Sequence, residues 1–151
     1  RHAIDALIET VSRKPARRYT IGERAEPPKT MRDDVFVQEA VGRAETLLTS
    51  ARAYQFDVIG DLWMTLVEGG EPTQAQLAHF TTASTHVVGV CAEVVQLVCK
   101  AAGGTAVYQK GPFDRCLRDV LTMNQHVVTT LRTYEMAGRL MLGLEPLRFL
   151  L

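Results

Sequence analysis

TQAQLAHFTTASTHVVGVCAEVVQLVCKAAGG, residues 73–104, is the stretch whose reading sets the fold. Leu77, Phe80, Ala83, Val87, Cys91, Val94, Val98 and Ala101 recur at intervals of three and four, the spacing of one face of an α-helix. Glu71 or Thr73 stands where a cap is wanted, and Gly103-Gly104 ends the run, so a helix is predicted over 73–102. Ala83, Gly89, Ala92 and Ala101 are small enough to let a neighbouring helix come close.

Upstream, Val37, Val41, Ala44, Leu48, Ala51, Val58 and Leu62 follow the same spacing, with Gln55 at one seam position. Asp33 and Asp34 suit the positive start of a helix and Gly69-Gly70 its end, which predicts a helix over 33–68. Downstream, Pro112 fits a first helical turn, and Phe113, Cys116, Leu117, Val120, Val127, Leu131 and Tyr134 carry the pattern through 112–142. The β-branched Thr129, Thr130 and Thr133 weaken helical propensity there and mark a place for a joint near Val128–Thr130. Ala3, Ile4, Leu7, Ile8 and Val11 make a shorter helix over 2–14. Residues 15–32 hold Pro15, Gly22, Pro27 and Pro28 without an apolar period and read as irregular. The expectation is one all-α domain over 1–151, an antiparallel up-down four-helix bundle. Helices this long favour a bundle with an oligomer interface over a compact monomer.

Composition narrows the function classes. Seventeen basic and seventeen acidic side chains cancel among 151 residues, and no basic footprint for nucleic acid stands out. No unbroken run approaches 18 apolar residues, so no membrane span is expected. Cys91, Cys99 and Cys116 are odd in number and lie in apolar surroundings, which suits buried thiols in a reducing, cytoplasmic setting. Metal is not expected: His79 and His86 lie seven residues apart with no carboxylate at ligand spacing, and His2 stands alone. The chain opens on Arg1 within a helix, as a cut inside a longer protein would, and lacks a signal-like apolar core near its start.

A few residues stand out for chemistry. Gly103-Gly104-Thr105 lacks the preceding strand and the spacing of a dinucleotide fingerprint, so it reads as a helix stop or as a turn whose amides and hydroxyl meet a phosphate or flavin edge. Arg13, Lys14, Arg17 and Arg18 read as a solvated helix end or as a contact for a phosphate or a partner's acid. Arg115, Arg118 and Asp119 read as intrabundle salt bridges or as guanidinium groups for a phosphate, with Asp119 orienting an arginine. His126, expected mid-helix and in contact, reads as a core histidine or as the acid–base group of a ligand site. Trp63, Phe56 and Tyr54 read as core or interface.

Taken together, Gly103-Gly104-Thr105-Ala106-Val107-Tyr108, Arg115-Cys116-Leu117-Arg118-Asp119, Asn124-Gln125-His126, Glu135-Met136-Ala137-Gly138-Arg139 and Leu142-Gly143-Leu144 resemble the C-terminal domain of the acyl-CoA dehydrogenase superfamily. The resemblance is closest to its two-component, reduced-flavin-dependent aromatic monooxygenases. It implies a bundle that builds a homotetramer and walls a flavin (FAD or FMN) against a missing N-terminal region, with a neighbouring subunit contributing. It implies a small aromatic or phenolic substrate and a separate flavin reductase. His126 would then assist phenol deprotonation or support the flavin after its reaction with oxygen. Gly103, Gly104 and Thr105 would form the flavin-side turn, Arg115 and Arg118 would give electrostatic support, and Asp119 structural support. The dehydrogenase branch uses a glutamate base, and Glu68, Glu93 and Glu135 offer no compelling match. A desaturase of that branch and a purely oligomerising domain remain the alternatives.

Overall fold

The computed structural model describes residues 1–16 and 30–145. Five α-helices carry the described chain: α1 (His2–Arg13), α2 (Val35–Val67), α3 (Gln74–Ala102), α4 (Pro112–Met123) and α5 (Arg132–Met141). No strand lies among the described residues beyond one isolated antiparallel bridge between Pro15 and Thr30, beside which the Met31 amide donates to the Lys14 carbonyl at 3.0 Å. Of the stretch read as irregular, 17–29 lies outside the described residues, as do 146–151.

Local chemistry sets the helix ends. Asp34 caps α2 by accepting from the Phe36 amide at 2.9 Å. Thr73, and not Glu71, caps α3: its hydroxyl accepts from the Gln76 amide while Gln76 Oε1 accepts from the Thr73 amide, a reciprocal capping box. Gly69, Gly103 and Gly143 end α2, α3 and α5 with positive φ, a conformation that a Cβ disfavours.

Register is written in cross-helix pairs. Arg43 pairs with Glu93, the Tyr54 ring meets His86 edge-on, and Gln76 donates to Asp61 and Thr65, so α2 and α3 run antiparallel along their length. On the other side of α3, Cys99 Sγ lies near the Phe113 carbonyl, Thr85 bonds Thr133, and Leu140 lines a hollow with Leu77. Thus α4 and then α5 return along α3, which forms the axis of the bundle.

The single helix expected over 112–142 is instead two. α4 ends at Met123, a 3-10 turn spans Val127–Thr129, and α5 begins at Arg132. Two causes act together. Val127, Val128, Thr129 and Thr130 are consecutive β-branched residues of low helix propensity. The side chains nearby also offer the backbone other partners: His126 Nδ1 accepts from the Val128 amide at 3.3 Å, and the Thr129 hydroxyl reaches the Met123 and His126 carbonyls.

The core is concentrated at one end. Ile4, Leu7, Met31, Val98 and Phe113 are almost wholly buried where α1, the first half of α2, the second half of α3 and α4 converge. Burying side chains of that size contributes roughly 1.5–3 kcal/mol each. At the other end Phe56, Trp63, Met64, Leu66, Val67, Phe80 and Leu131 remain exposed, Trp63 by 63%. By length and composition α3 is apolar enough to cross a membrane, with a mean hydropathy of 1.5 over its best window, which counting unbroken apolar runs had missed. Its position as bundle axis gives that apolarity a packing cause.

Candidate functional site

At the end of α3, Gly103 turns the chain with φ 63° and ψ −139° while its amide donates to the Cys99 and Lys100 carbonyls. Gly104 is exposed, and a Cβ built on it would meet nothing within 4 Å, so the backbone there lies uncovered. Thr105 is half-buried, and its hydroxyl accepts from Lys14 Nζ at 2.6 Å; the same ammonium lies 3.5 Å from the Ala102 carbonyl. A cation at the carbonyl end of α3 complements the helix dipole. Lys14 was visible in the sequence only as one of a basic run. Folding separates that run: Arg13 pairs with Glu9 at 3.1 Å, Lys14 reaches the turn, and Arg17 and Arg18 lie outside the described residues.

The charges of α4 sort by helical geometry. Arg118 pairs with Asp114 at 3.0 Å, and Arg115 with Asp119 at 3.6 Å, both four residues apart. Adjacent Arg118 and Asp119 do not pair with one another, and Asp114, not singled out from sequence, is the better-covered acid of the two. Both arginines are largely exposed, so these pairs hold side-chain direction and add little stability. The three thiols are free and half-buried. Burial pushes the Cys99 thiol above its ordinary range, and Cys116 and Asp114 add to that.

His126 is not inside a helix and not enclosed by core. It sits exposed in the link between α4 and α5. Its amide donates to the Met123 carbonyl at 3.1 Å, and its carbonyl accepts from the Thr129 amide and hydroxyl at 2.9 and 2.8 Å. Two residues on, Val128 lines an apolar cavity of about 320 Å³ together with Leu77, Phe80, Thr81, Met136 and Leu140. A second cavity of about 370 Å³ gathers Tyr54, His79, His86 and Tyr134. Burial, with Tyr54 adding, raises the Tyr134 phenol above its ordinary value. His79 and His86 thus share a cavity wall, and among the described residues no group of three ligand-type side chains converges for a metal ion. The sequence signalled Phe80 and Tyr134 only as helix-face residues, and Thr85 and Thr133 scarcely at all.

The fold does not bring all the candidates together. The turn at Gly103 caps the end of α3, whereas the His126 link packs near Thr85, about 25 Å back along the same helix at 1.5 Å per residue. Glu93, one of the carboxylates weighed as a base, is engaged by Arg43 at 3.0 Å.

The sequence profile described as acyl-CoA dehydrogenase, C-terminal domain, matches residues 1–130. An indole-3-acetate monooxygenase of Pseudomonas putida is 32% identical over 116 residues, covering 76% of this chain and 30% of the relative. The chain therefore spans less than a third of that relative's length. Among solved structures, a 3-HSA hydroxylase from Rhodococcus sp. RHA1 superposes with a TM-score of 0.80 at 23% identity, covering 96% of this chain and 36% of that one. XiaF from Streptomyces sp., solved with FADH2 and glycerol, superposes with a TM-score of 0.78 at 18% identity, covering 96% and 36%. At those identities the two superpositions establish the shared fold.

Proposed function

Because this chain belongs to the acyl-CoA dehydrogenase C-terminal domain family, we propose that it is the assembly and active-site-wall domain of a reduced-flavin-dependent monooxygenase acting on a small aromatic substrate. The observation that carries this reading is the exposed His126, not consumed by the core and bonded through its own turn to Val128, which lines an apolar cavity.

The residues at the two ends of α3 divide the work. At the Gly103 turn, an uncovered backbone at Gly104, a threonine hydroxyl and the Lys14 ammonium match the chemistry of a phosphate-bearing group, which fits FAD or FMN. Arg115 and Arg118, each directed by an aspartate, lie on the adjoining helix as electrostatic support. The distance along α3 means that this turn and His126 do not touch one reacting centre, so the turn would serve the far end of the cofactor or that of a second copy. Reduced flavin, when bound, supplies the oxygen chemistry; the chain's part is position, field and exclusion of water. Phe80, Val128 and Met136 offer an apolar wall for an aromatic ring, and His126, bonded to the Val128 amide, would offer the polar contact from the adjoining turn.

In this reading the chain works inside a longer cytoplasmic flavoenzyme, a homotetramer supplied with reduced flavin by a separate reductase. The test is anaerobic titration of reduced flavin into the full-length protein, followed by mixing with oxygen in a stopped-flow spectrometer. An oxygen-dependent intermediate and a hydroxylated ring product are expected. Reduction of bound flavin by an acyl-CoA thioester would move the assignment to the dehydrogenase branch, and absence of flavin binding would leave an assembly domain.

A further inference from the structure

Behind the turn that carries His126 lie two hydroxyls that the proposed chemistry does not use. Thr85 on α3 is 6% exposed and Thr133 on α5 is 1% exposed, and their Oγ1 atoms stand 2.8 Å apart. Thr133 Oγ1 is also 2.8 Å from the Thr130 carbonyl, and Thr85 Oγ1 is 3.3 Å from the Val128 carbonyl and 3.2 Å from Thr81's. Each hydroxyl has one proton to give. The arrangement using the shortest contacts has Thr133 donating to Thr130 and Thr85 donating to Thr133. Reversing the bond between the threonines frees Thr85 to donate to Thr81 at 3.2 Å or across to Val128 at 3.3 Å. The shortest-contact arrangement runs from the axis helix into the turn at Thr130, and the Val128 carbonyl stands within reach of the same Thr85 hydroxyl.

What the turn holds in place is an amide. The Val128 N–H points at His126 Nδ1 from 3.3 Å. A backbone amide can only donate, so Nδ1 must accept, and the uncharged imidazole then carries its proton on Nε2. Nε2 makes no bond to the described residues.

We infer that Thr85 and Thr133 are positioning residues that, by tying the turn at Val128–Thr130 to α3, keep His126 in the Nε2–H tautomer and make it a hydrogen-bond donor. This rests on the reading of His126 as a group facing the reaction. It also sharpens that reading, because a donor at Nε2 is not the base that would deprotonate a phenol. The ligand atom it meets must itself be an acceptor, such as a phenolate or carbonyl oxygen.

The experiment is long-range proton–nitrogen NMR on the chain labelled at histidine, at a pH where the imidazole is uncharged, with His126 assigned by its loss in His126→Gln. The Nε2–H pattern is expected for the unaltered chain, a mixture of tautomers for Thr85→Val and Thr133→Val, and recovery in Thr85→Ser. An Nδ1–H pattern in the unaltered chain overturns the inference, as does an unchanged pattern in both valine variants with the amide spectrum intact. Should the valine variants not fold, the Val128 amide decides: its exchange with solvent is expected to quicken about tenfold in His126→Ala, and an equal rate overturns the inference. In the full-length protein, Thr85→Val should lower turnover with KM unchanged, and Thr85→Ser should restore it. If His126→Ala leaves product formation untouched while the tautomer result stands, the catalytic reading falls and the positioning of the ring survives.

Discussion

The two ends of the bundle are built from similar side chains and put to opposite use. Where α1 and α4 close over α3, Leu7, Val98 and Phe113 are sealed, and small Ala44 and Ala102 let backbones approach. Where α2 and the start of α3 extend past α1, residues no less apolar face outward, and Gln55 Oε1 is buried with no partner among the described residues. An orphaned acceptor and an uncovered tryptophan at one end stand against a cluster at the other that is sealed around Leu7, Val98 and Phe113, although Phe36 and Tyr108 on its rim still face outward. His126 and both cavities lie at the open end.

The largest expected effect would break this comparison most directly. Phe113→Ala, at the sealed end, should destabilise the fold by about 3–5 kcal/mol in urea unfolding. Trp63→Ala should stay within about 0.5 kcal/mol in the same measurement on the dissociated chain, and a comparable loss at both positions would erase the distinction. Next comes His126→Ala in the full-length protein. Product formation should fall about 100-fold, in the range of a lost acid–base or donor group, while the melting temperature barely moves. A smaller effect is expected for the proposed homotetramer: Trp63→Lys should weaken its association about tenfold in sedimentation, about 1.4 kcal/mol, without altering helicity. Unchanged association would place the contact surface elsewhere.

The smallest effect concerns pH at the sealed end. The folded chain holds the Cys99 proton more tightly than the unfolded chain does, because burial disfavours the thiolate. Above the ordinary thiol range the unfolded chain releases that proton first, so stability should decline as pH rises there and be fully present below it. Cys99→Ala should flatten the alkaline limb of the stability curve, and an unaltered slope would remove the thiol from it.

Helix starts and stops were legible where a single residue type decides them: Gly69, Gly103 and Gly143 at the ends, Pro112 at a beginning. The joint at 124–131 was legible only as a weakness, since propensity shows that a helix is poor there and not that His126 and Thr129 will bind the backbone instead. For the same reason His126 was expected in contact along a continuous helix, and its exposure follows from the break. Lys14 and Thr105, far apart in sequence, meet only because α1 and α3 end at the same level, a fact that no local pattern carries. Asp119 was read as orienting an arginine without saying which; helical spacing assigns it Arg115 and gives Arg118 to Asp114, four residues away in each case.

The bridge between Pro15 and Thr30 has a consequence for the cost of closing the chain. It pins the end of α1 to the approach to α2, so both ends of the stretch between them are set by backbone contact. Doubling the number of residues between two such anchors costs only about 0.6 kcal/mol in closure entropy. By that arithmetic the bridge makes the entropic cost of joining α1 to α2 depend only weakly on how many residues stand between its two anchors.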